Sequence, residues 1–179
     1  MRRVSGFALA LAAILFTALC AFAQEPAKLV ARGAVLKPGS WSAEDLKEQF
    51  ADQIRTIKFT PAENVPQQVG TGIPLLALIQ ATAPRTEKAP KHYDLTFLVV
   101  LEARDSYRVF FSLAELLPQC GHAEAWVIWE ADGKPLSGKE APFRLAVVSD
   151  KGHDRYIYGI ASVTLVDGTK LASQLAAGK

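Results

Sequence analysis

The feature that most limits the fold is a long apolar run, "YDLTFLVVLEA", at positions 93–103. Its central residues are apolar without interruption, and a run of this length and composition predicts a buried strand. The turn "RDS" then leads into a second strand, "YRVFF", at 107–111. A chain organised around such a strand must be held together by an ordinary hydrophobic core.

Shorter elements precede this run. The pattern predicts an opening strand at 28–39, a helix at 42–50 with Ser42 as N-cap and Asp45 three residues on, and a short strand at 54–60. The segment "PAENVPQQVGTG" at 61–72 has the composition of a loop. "IPLLALIQAT" follows as a short helix with Pro74 near its first turn.

The second half of the chain adds a helix, a hairpin and strands. "SLAELLP" is a compact helix with a capping box from Ser112 to Glu115. "EAWVIWEADGKPL" reads as a hairpin with Asp132 and Gly133 at its tip. "FRLAVVS" and "RYIYGIASVTLV" are the last two strands, joined by the loop "DKGHD", and "KLASQLAAGK" reads as a frayed tail. The fold class is α+β, with a mixed, largely antiparallel sheet and short inserted helices.

The amino terminus has the three parts of a secretory signal peptide. Arg2 and Arg3 form a basic start, an apolar stretch spans 7–19, and Ala21-Phe22-Ala23 is a small-x-small cleavage site. The alternative is a membrane anchor, but the apolar run is near the lower limit for a span. We expect a signal peptide over 1–23, cleavage near Ala23, a single domain over 24–179, and a periplasmic or secreted protein.

The charge balance and the cysteine content argue against a nucleic-acid-binding protein and against a fold held by internal disulfides. Without Arg2 and Arg3, the 20 basic residues fall to 18 and equal the 18 acidic ones. This balance gives no indication of nucleic acid as a partner. Of the two cysteines, Cys20 leaves with the signal peptide, and Cys120 alone cannot form an internal disulfide.

Cys120 stands two positions before His122 and raises three alternatives: a nucleophile, a metal ligand or a bystander. No histidine pair has the H-x-x-x-H spacing and no second thiol is present, so the pattern does not predict a zinc site. No G-x-S-x-G motif points to a serine hydrolase. Two loop residues this close need not bring their side chains together, so a bystander thiol is favoured.

Six segments are informative because of the order in which they follow one another: "LVARGAVLKPG", "SAEDLKEQF", "GIPLLALI", "RDSYRVFFSLAEL", "EADGKPL" and "APFRLAVVSDKG". This series resembles the oxidoreductase molybdopterin-binding domain, the fold of sulfite oxidase and of the catalytic subunit of periplasmic methionine sulfoxide reductase. The resemblance covers about 29–166, and it implies that fold for the core of the chain.

The resemblance also implies where a site would lie. In that family a cysteine thiolate binds molybdenum about a dozen residues before the glycine of the G-x-P-L helix, and counting back from Gly72 reaches Thr60. A threonine hydroxyl is a poor ligand for such a metal, so the molybdenum cofactor is not expected. The family's pterin-contacting arginine carries over to Arg144, and its loop after that strand carries over to Gly152, His153 and Arg155.

For Arg144 a second reading stays open, in which it is a buried structural arginine paired with a carboxylate such as Asp132 or Asp150. The predicted signal peptide and the resemblance together lead to the hypothesis of an exported, non-catalytic protein that binds a pterin or another small ligand. The resemblance permits a role beside a membrane signalling protein. The alternatives are a molybdenum-cofactor oxidoreductase without the usual thiolate and an interaction domain that holds no ligand.

Overall fold

In a computed structural model, residues 27–85 and 92–178 of the chain are described. The strands are β1 (Leu29–Gly33), β2 (Gly39–Trp41), β3 (Arg55–Phe59), β4 (Gln68–Pro74), β5 (Phe97–Ala103), β6 (Arg108–Ser112), β7 (Ala125–Ala131), β8 (Lys134–Pro135), β9 (Arg144–Val147), β10 (Ile157–Tyr158) and β11 (Ile160–Asp167). The α-helices are α1 (Ala43–Gln49), α2 (Leu75–Ala81), α3 (Leu113–Leu116) and α4 (Gly168–Ala177), and short 3-10 turns lie at Ala51–Gln53 and Tyr93–Thr96. These elements agree with the predicted α+β class.

The strands form two sheets rather than one. The first has the order β2-β1-β11-β5-β6, and the second has the order β10-β9-β7-β4-β3 with β8 beside β7. Within these sheets β1 and β11 pair in parallel, and the other pairs are antiparallel. The prediction of a mixed, largely antiparallel arrangement is therefore confirmed, although the split into two sheets was not predicted.

The apolar run at 97–103 forms β5, which lies inside the first sheet between β11 and β6. Phe97, Val99, Leu101 and Ala103 are buried in the core, whereas the alternate residues Leu98 and Val100 are only half-buried. Because successive side chains of a strand point to opposite faces, one face of β5 packs into the core and the other is partly open to solvent.

Both predicted capping boxes are present. The Asp45 N–H donates to Ser42 Oγ at 3.1 Å, and the Ser42 N–H donates to the Asp45 carboxylate at 2.8 Å. At the start of α3, the Ser112 N–H donates to Glu115 Oε1 at 3.3 Å. These contacts satisfy N–H groups that have no partner within the helix, so they fix where each helix begins.

The prediction of a loop over 61–72 is wrong in its second half, because residues 68–74 form β4 between β3 and β7. The composition indicated a loop because this segment contains two glycines, Gly70 and Gly72. At position 72 the tertiary structure requires a glycine. A Cβ on Gly72 would lie 2.1 Å from the Val127 carbonyl oxygen, where β4 passes close to β7. The hairpin turn is as predicted, with Asp132 and Gly133 both at positive φ.

The predicted frayed tail is also wrong, since α4 covers 168–177. Asp167 caps this helix by accepting hydrogen bonds from the Thr169 and Lys170 N–H groups, and the Tyr93 hydroxyl donates to the same carboxylate. Burial opposes ionisation of this carboxylate, but the bonds from Thr169, Tyr93 and the backbone outweigh it and lower the pKa of Asp167 to about 2.

The predicted signal peptide over 1–23 lies outside the described residues. Within 27–85 and 92–178, no helix combines the length and the apolar character needed to cross a membrane.

We predict that Asp167→Asn removes a pH-dependent part of the stability. Because the folded pKa lies below the ordinary value of 3.8, the ionised carboxylate stabilises the fold above about pH 4, and this contribution is lost as the pH falls towards 2. Urea unfolding at pH 7 should give the variant a free energy of unfolding that is lower than that of the wild type by about 1–2 kcal/mol. This difference should be smaller at pH 3. A difference that stays constant between the two pH values would contradict this account.

Candidate functional site

A polar cleft of about 290 Å³ lies between the loop that follows β3 and the loop that follows β9. Each loop begins where its strand leaves the second sheet, so the sheet fixes the two walls relative to each other. The residues that line it are Lys58, Phe59, Thr60, Gln67, Val148, Asp150, Lys151, His153 and Tyr156. Most of these side chains carry hydrogen-bonding groups, which suits a small polar ligand.

Two of the five predicted site residues, Thr60 and His153, line this cleft from opposite walls. Gly152 lies between two lining residues and is exposed. A Cβ added at Gly152 would meet only the Asp154 carboxylate, at 3.5 Å. The fold itself therefore does not require glycine at this position.

Arg155 does not line the cleft but binds two carboxylates, that of the lining residue Asp150 and that of Glu115 outside the cleft. Its Nε donates to Asp150 Oδ2 at 2.7 Å, its Nη2 to Asp150 Oδ1 at 2.5 Å, and its Nη1 to Glu115 Oε2 at 2.8 Å. The guanidinium also lies 4.5 Å from the centre of the Phe111 ring. The bonds to Asp150 and Glu115 outweigh desolvation and raise the pKa of Arg155, which stays charged at every physiological pH.

Arg144 lies in β9 and is fully buried, with 0% of its surface exposed. Its Nη1 donates to Glu140 Oε1 at 3.1 Å, and its Nη2 donates to the Pro61 carbonyl oxygen at 2.8 Å. Among the described residues its Nε has no hydrogen-bond partner. The carboxylate partner is thus Glu140 and not Asp132 or Asp150: the Asp132 carboxylate accepts from the Val69 N–H, and Asp150 is bound by Arg155.

Aromatic rings surround the Arg144 guanidinium. Its central carbon lies 4.3 Å from the Tyr158 ring centre, 5.0 Å from that of Phe59 and 5.6 Å from that of Tyr156. Such ring faces attract a cation and offset part of its desolvation. Burial nevertheless lowers the pKa of Arg144 below its ordinary value. Phe59 and Tyr156 also line the cleft, so Arg144 supports the cleft wall from behind.

Seven lining residues were not predicted as site residues: the apolar Phe59 and Val148, and the polar Lys58, Gln67, Asp150, Lys151 and Tyr156. Asp150 and Lys151 lie in the "DKGHD" loop that the family resemblance singled out, so that loop as a whole was the available signal. Gln67 lies in a segment recognised only as a loop, and nothing in its surroundings in the sequence marks it.

Cys120 does not line the cleft; it is exposed in the loop that follows α3. The lining residue at the expected thiolate position is Thr60, whose hydroxyl remains protonated near neutral pH. Within the part of the chain that the structure describes, no cluster of three His, Cys, Asp or Glu residues is placed to hold a metal ion. The donor set of the cleft does not fit a molybdenum centre that requires a thiolate.

Other cavities lie away from this cleft. A wider depression of about 520 Å³ borders α4 and β11, and an apolar pocket of about 240 Å³ lies beside His122 and Trp126. Neither contains any of the five predicted site residues. The cleft is therefore the candidate site, although it is smaller than the depression beside α4.

No protein-family model matches the chain, and no curated protein sequence matches it. Among solved structures, its fold is similar to that of the sulfane dehydrogenase SoxCD from Paracoccus pantotrophus, with a TM-score of 0.56 and 18% sequence identity. The similarity covers 78% of this chain and 38% of that chain. The likeness shows the fold alone, and this chain spans well under half the length of its structural neighbour.

We predict that Arg144→Lys destabilises the protein by about 3 kcal/mol, because a lysine keeps the buried charge but cannot reach Glu140 and the Pro61 carbonyl together. Thermal melts should show a clear fall in Tm. Arg108→Lys is the matched control, since Arg108 pairs with Glu102 on an exposed surface and should change Tm little. An unchanged Tm for Arg144→Lys would show that the buried guanidinium does not hold the fold together.

Proposed function

We propose that this protein is an exported, non-catalytic binding protein that holds a pterin-like small molecule in the cleft. The observation that carries the proposal is the polar cleft itself, which Thr60 and His153 line from the two different loops. The sequence resemblance associates these two loops with a pterin, and this association supports a ligand at this position.

The chemistry of Thr60 argues for binding without catalysis. A molybdenum centre of the expected kind needs a thiolate, and a threonine hydroxyl offers neither the charge nor the soft donor atom. Cys120 cannot substitute from its exposed loop, because it is not among the residues that line the cleft. We therefore derive no redox step, and the proposed role ends with binding.

The lining residues suit a flat, polar ring. His153 and Tyr156 make an edge-to-face contact with ring centres 5.4 Å apart, so an aromatic surface is available on one wall. Gln67 offers an amide that both donates and accepts, and Thr60 offers a hydroxyl. A pterin ring edge alternates donors and acceptors, and these groups could pair with it.

An exported ligand-binding protein of this kind could pass its ligand state to a membrane signalling protein. This part of the proposal rests on the predicted signal peptide and on the family resemblance. Co-purification with a membrane sensor from the native host would support it, and recovery of a haem membrane subunit instead would favour the oxidoreductase alternative.

We predict that the wild type binds oxidised or reduced pterins in a calorimetric titration. His153→Ala should weaken binding about two- to tenfold, as expected for the loss of one contact in the cleft, with only a small fall in Tm from the lost contact with Tyr156. Lys134→Ala is the matched control and should bind as the wild type does, because Lys134 is exposed and is not among the residues that line the cleft.

Protein purified from its native host distinguishes the binding protein from the molybdenum-cofactor oxidoreductase. Elemental analysis of protein purified from its native host should find well under one molybdenum atom per chain, and near-stoichiometric molybdenum would establish the oxidoreductase instead. Failure of the wild type to bind any pterin would leave the interaction domain as the remaining alternative.

A further inference from the structure

The hydrogen-bonding groups of the cleft are mostly donors. Lys58, near the end of β3, and Lys151, in the loop that follows β9, contribute ammonium groups, and Thr60 and His153 contribute further N–H or O–H groups. Within 27–85 and 92–178, neither lysine forms an ion pair or a side-chain hydrogen bond with the protein. Both ammonium groups are therefore open to a ligand.

Asp150 is the one carboxylate among the lining residues, and it forms an ion pair with Arg155. Both of its oxygens accept from the same guanidinium, at 2.7 Å and 2.5 Å. This bidentate geometry is the strong form of a carboxylate–guanidinium pair. Asp150 thus contributes little net negative charge to the cleft, and its acceptor sites facing the guanidinium are already used.

Arg155 is itself fixed by contacts outside the cleft. Glu115 accepts from its third donor at 2.8 Å, and the other oxygen of Glu115 caps α3 by accepting from the Ser112 N–H. The Tyr107 hydroxyl donates to the Asp154 carbonyl at 2.6 Å and ties down the adjacent residue. The guanidinium is therefore held in place before any ligand arrives.

We propose that Arg155 is a positioning residue that neutralises Asp150 and so makes the cleft selective for a ligand with a carboxylate or phosphate group. This inference rests on the proposed function and names the charge of the ligand. Arg155 acts through Asp150 and does not touch the ligand; Lys58 and Lys151 bind the anionic group directly.

The test compares two probes that differ by one carboxylate, pterin and 6-carboxypterin, with pyrophosphate as a third probe that lacks the ring. The wild type should bind 6-carboxypterin at least about tenfold more tightly than pterin, since charge-assisted contacts to two lysines are worth that much. Arg155→Met should remove most of this preference by leaving the Asp150 charge uncompensated, while the affinity for neutral pterin changes little.

The double variant Arg155→Met/Asp150→Asn separates charge from architecture. If Arg155 acts by neutralising Asp150, removing both charges restores the preference for 6-carboxypterin. If Arg155 only anchors the loop, the single and double variants lose affinity for both probes alike, and that result overturns the inference. Arg108→Met, from an ion pair on the exposed face of the first sheet, is the matched control and should leave both affinities unchanged.

Should Arg155→Met fold poorly in thermal melts, Arg155→Lys keeps one positive charge and should retain part of the preference. Equal wild-type binding of pterin and 6-carboxypterin overturns the charge selectivity and leaves the proposed function standing. Binding of pyrophosphate in an Arg155-dependent manner, without binding of either pterin, supports the charge selectivity and overturns the pterin ligand. Binding of none of the three probes overturns both.

Discussion

The buried guanidinium of Arg144 connects segments that lie far apart in the sequence. From β9 it donates to the Pro61 carbonyl, more than eighty positions earlier, and to Glu140 in the loop that precedes its own strand. Phe59 and Tyr156, which line the cleft, pack around it. Because burying a cation is costly unless it is paired with a carboxylate and hydrogen-bonded, the position of each of these segments depends on the others. The shape of the cleft follows from this arrangement.

The two arginines of this region differ in what they bind. Arg144 binds a backbone carbonyl and a half-buried carboxylate inside the protein, and it fixes architecture. Arg155 is partly exposed and binds the carboxylate that faces the cleft, so it bears on the charge that a ligand meets. A family resemblance that assigns both arginines to ligand contact does not separate these roles, because each depends on neighbours that come from other strands and loops.

The fold and the chemistry of the site point in different directions. The chain shares a fold with a much longer sulfane dehydrogenase chain, at 18% identity. At the position where the resemblance expects a metal-binding thiolate, it has the hydroxyl of Thr60. A fold supports many functions, and the residues of the site decide which one is chemically accessible. Our proposal of a binding role rests on those residues and not on the fold.

The sequence by itself determined the features whose causes are local. Ser42 with Asp45 and Ser112 with Glu115 specify helix starts, and Asp132 with Gly133 specifies a hairpin turn, because each acts on neighbouring backbone groups. It also singled out Thr60 and His153, both of which line the cleft. Only the tertiary structure decided that residues 68–74 form a strand, since β7 supplies its pairing and requires Gly72. It alone paired Arg144 with Glu140 and Arg155 with Asp150, because the partner of a long charged side chain is set by packing between distant elements and not by spacing along the chain.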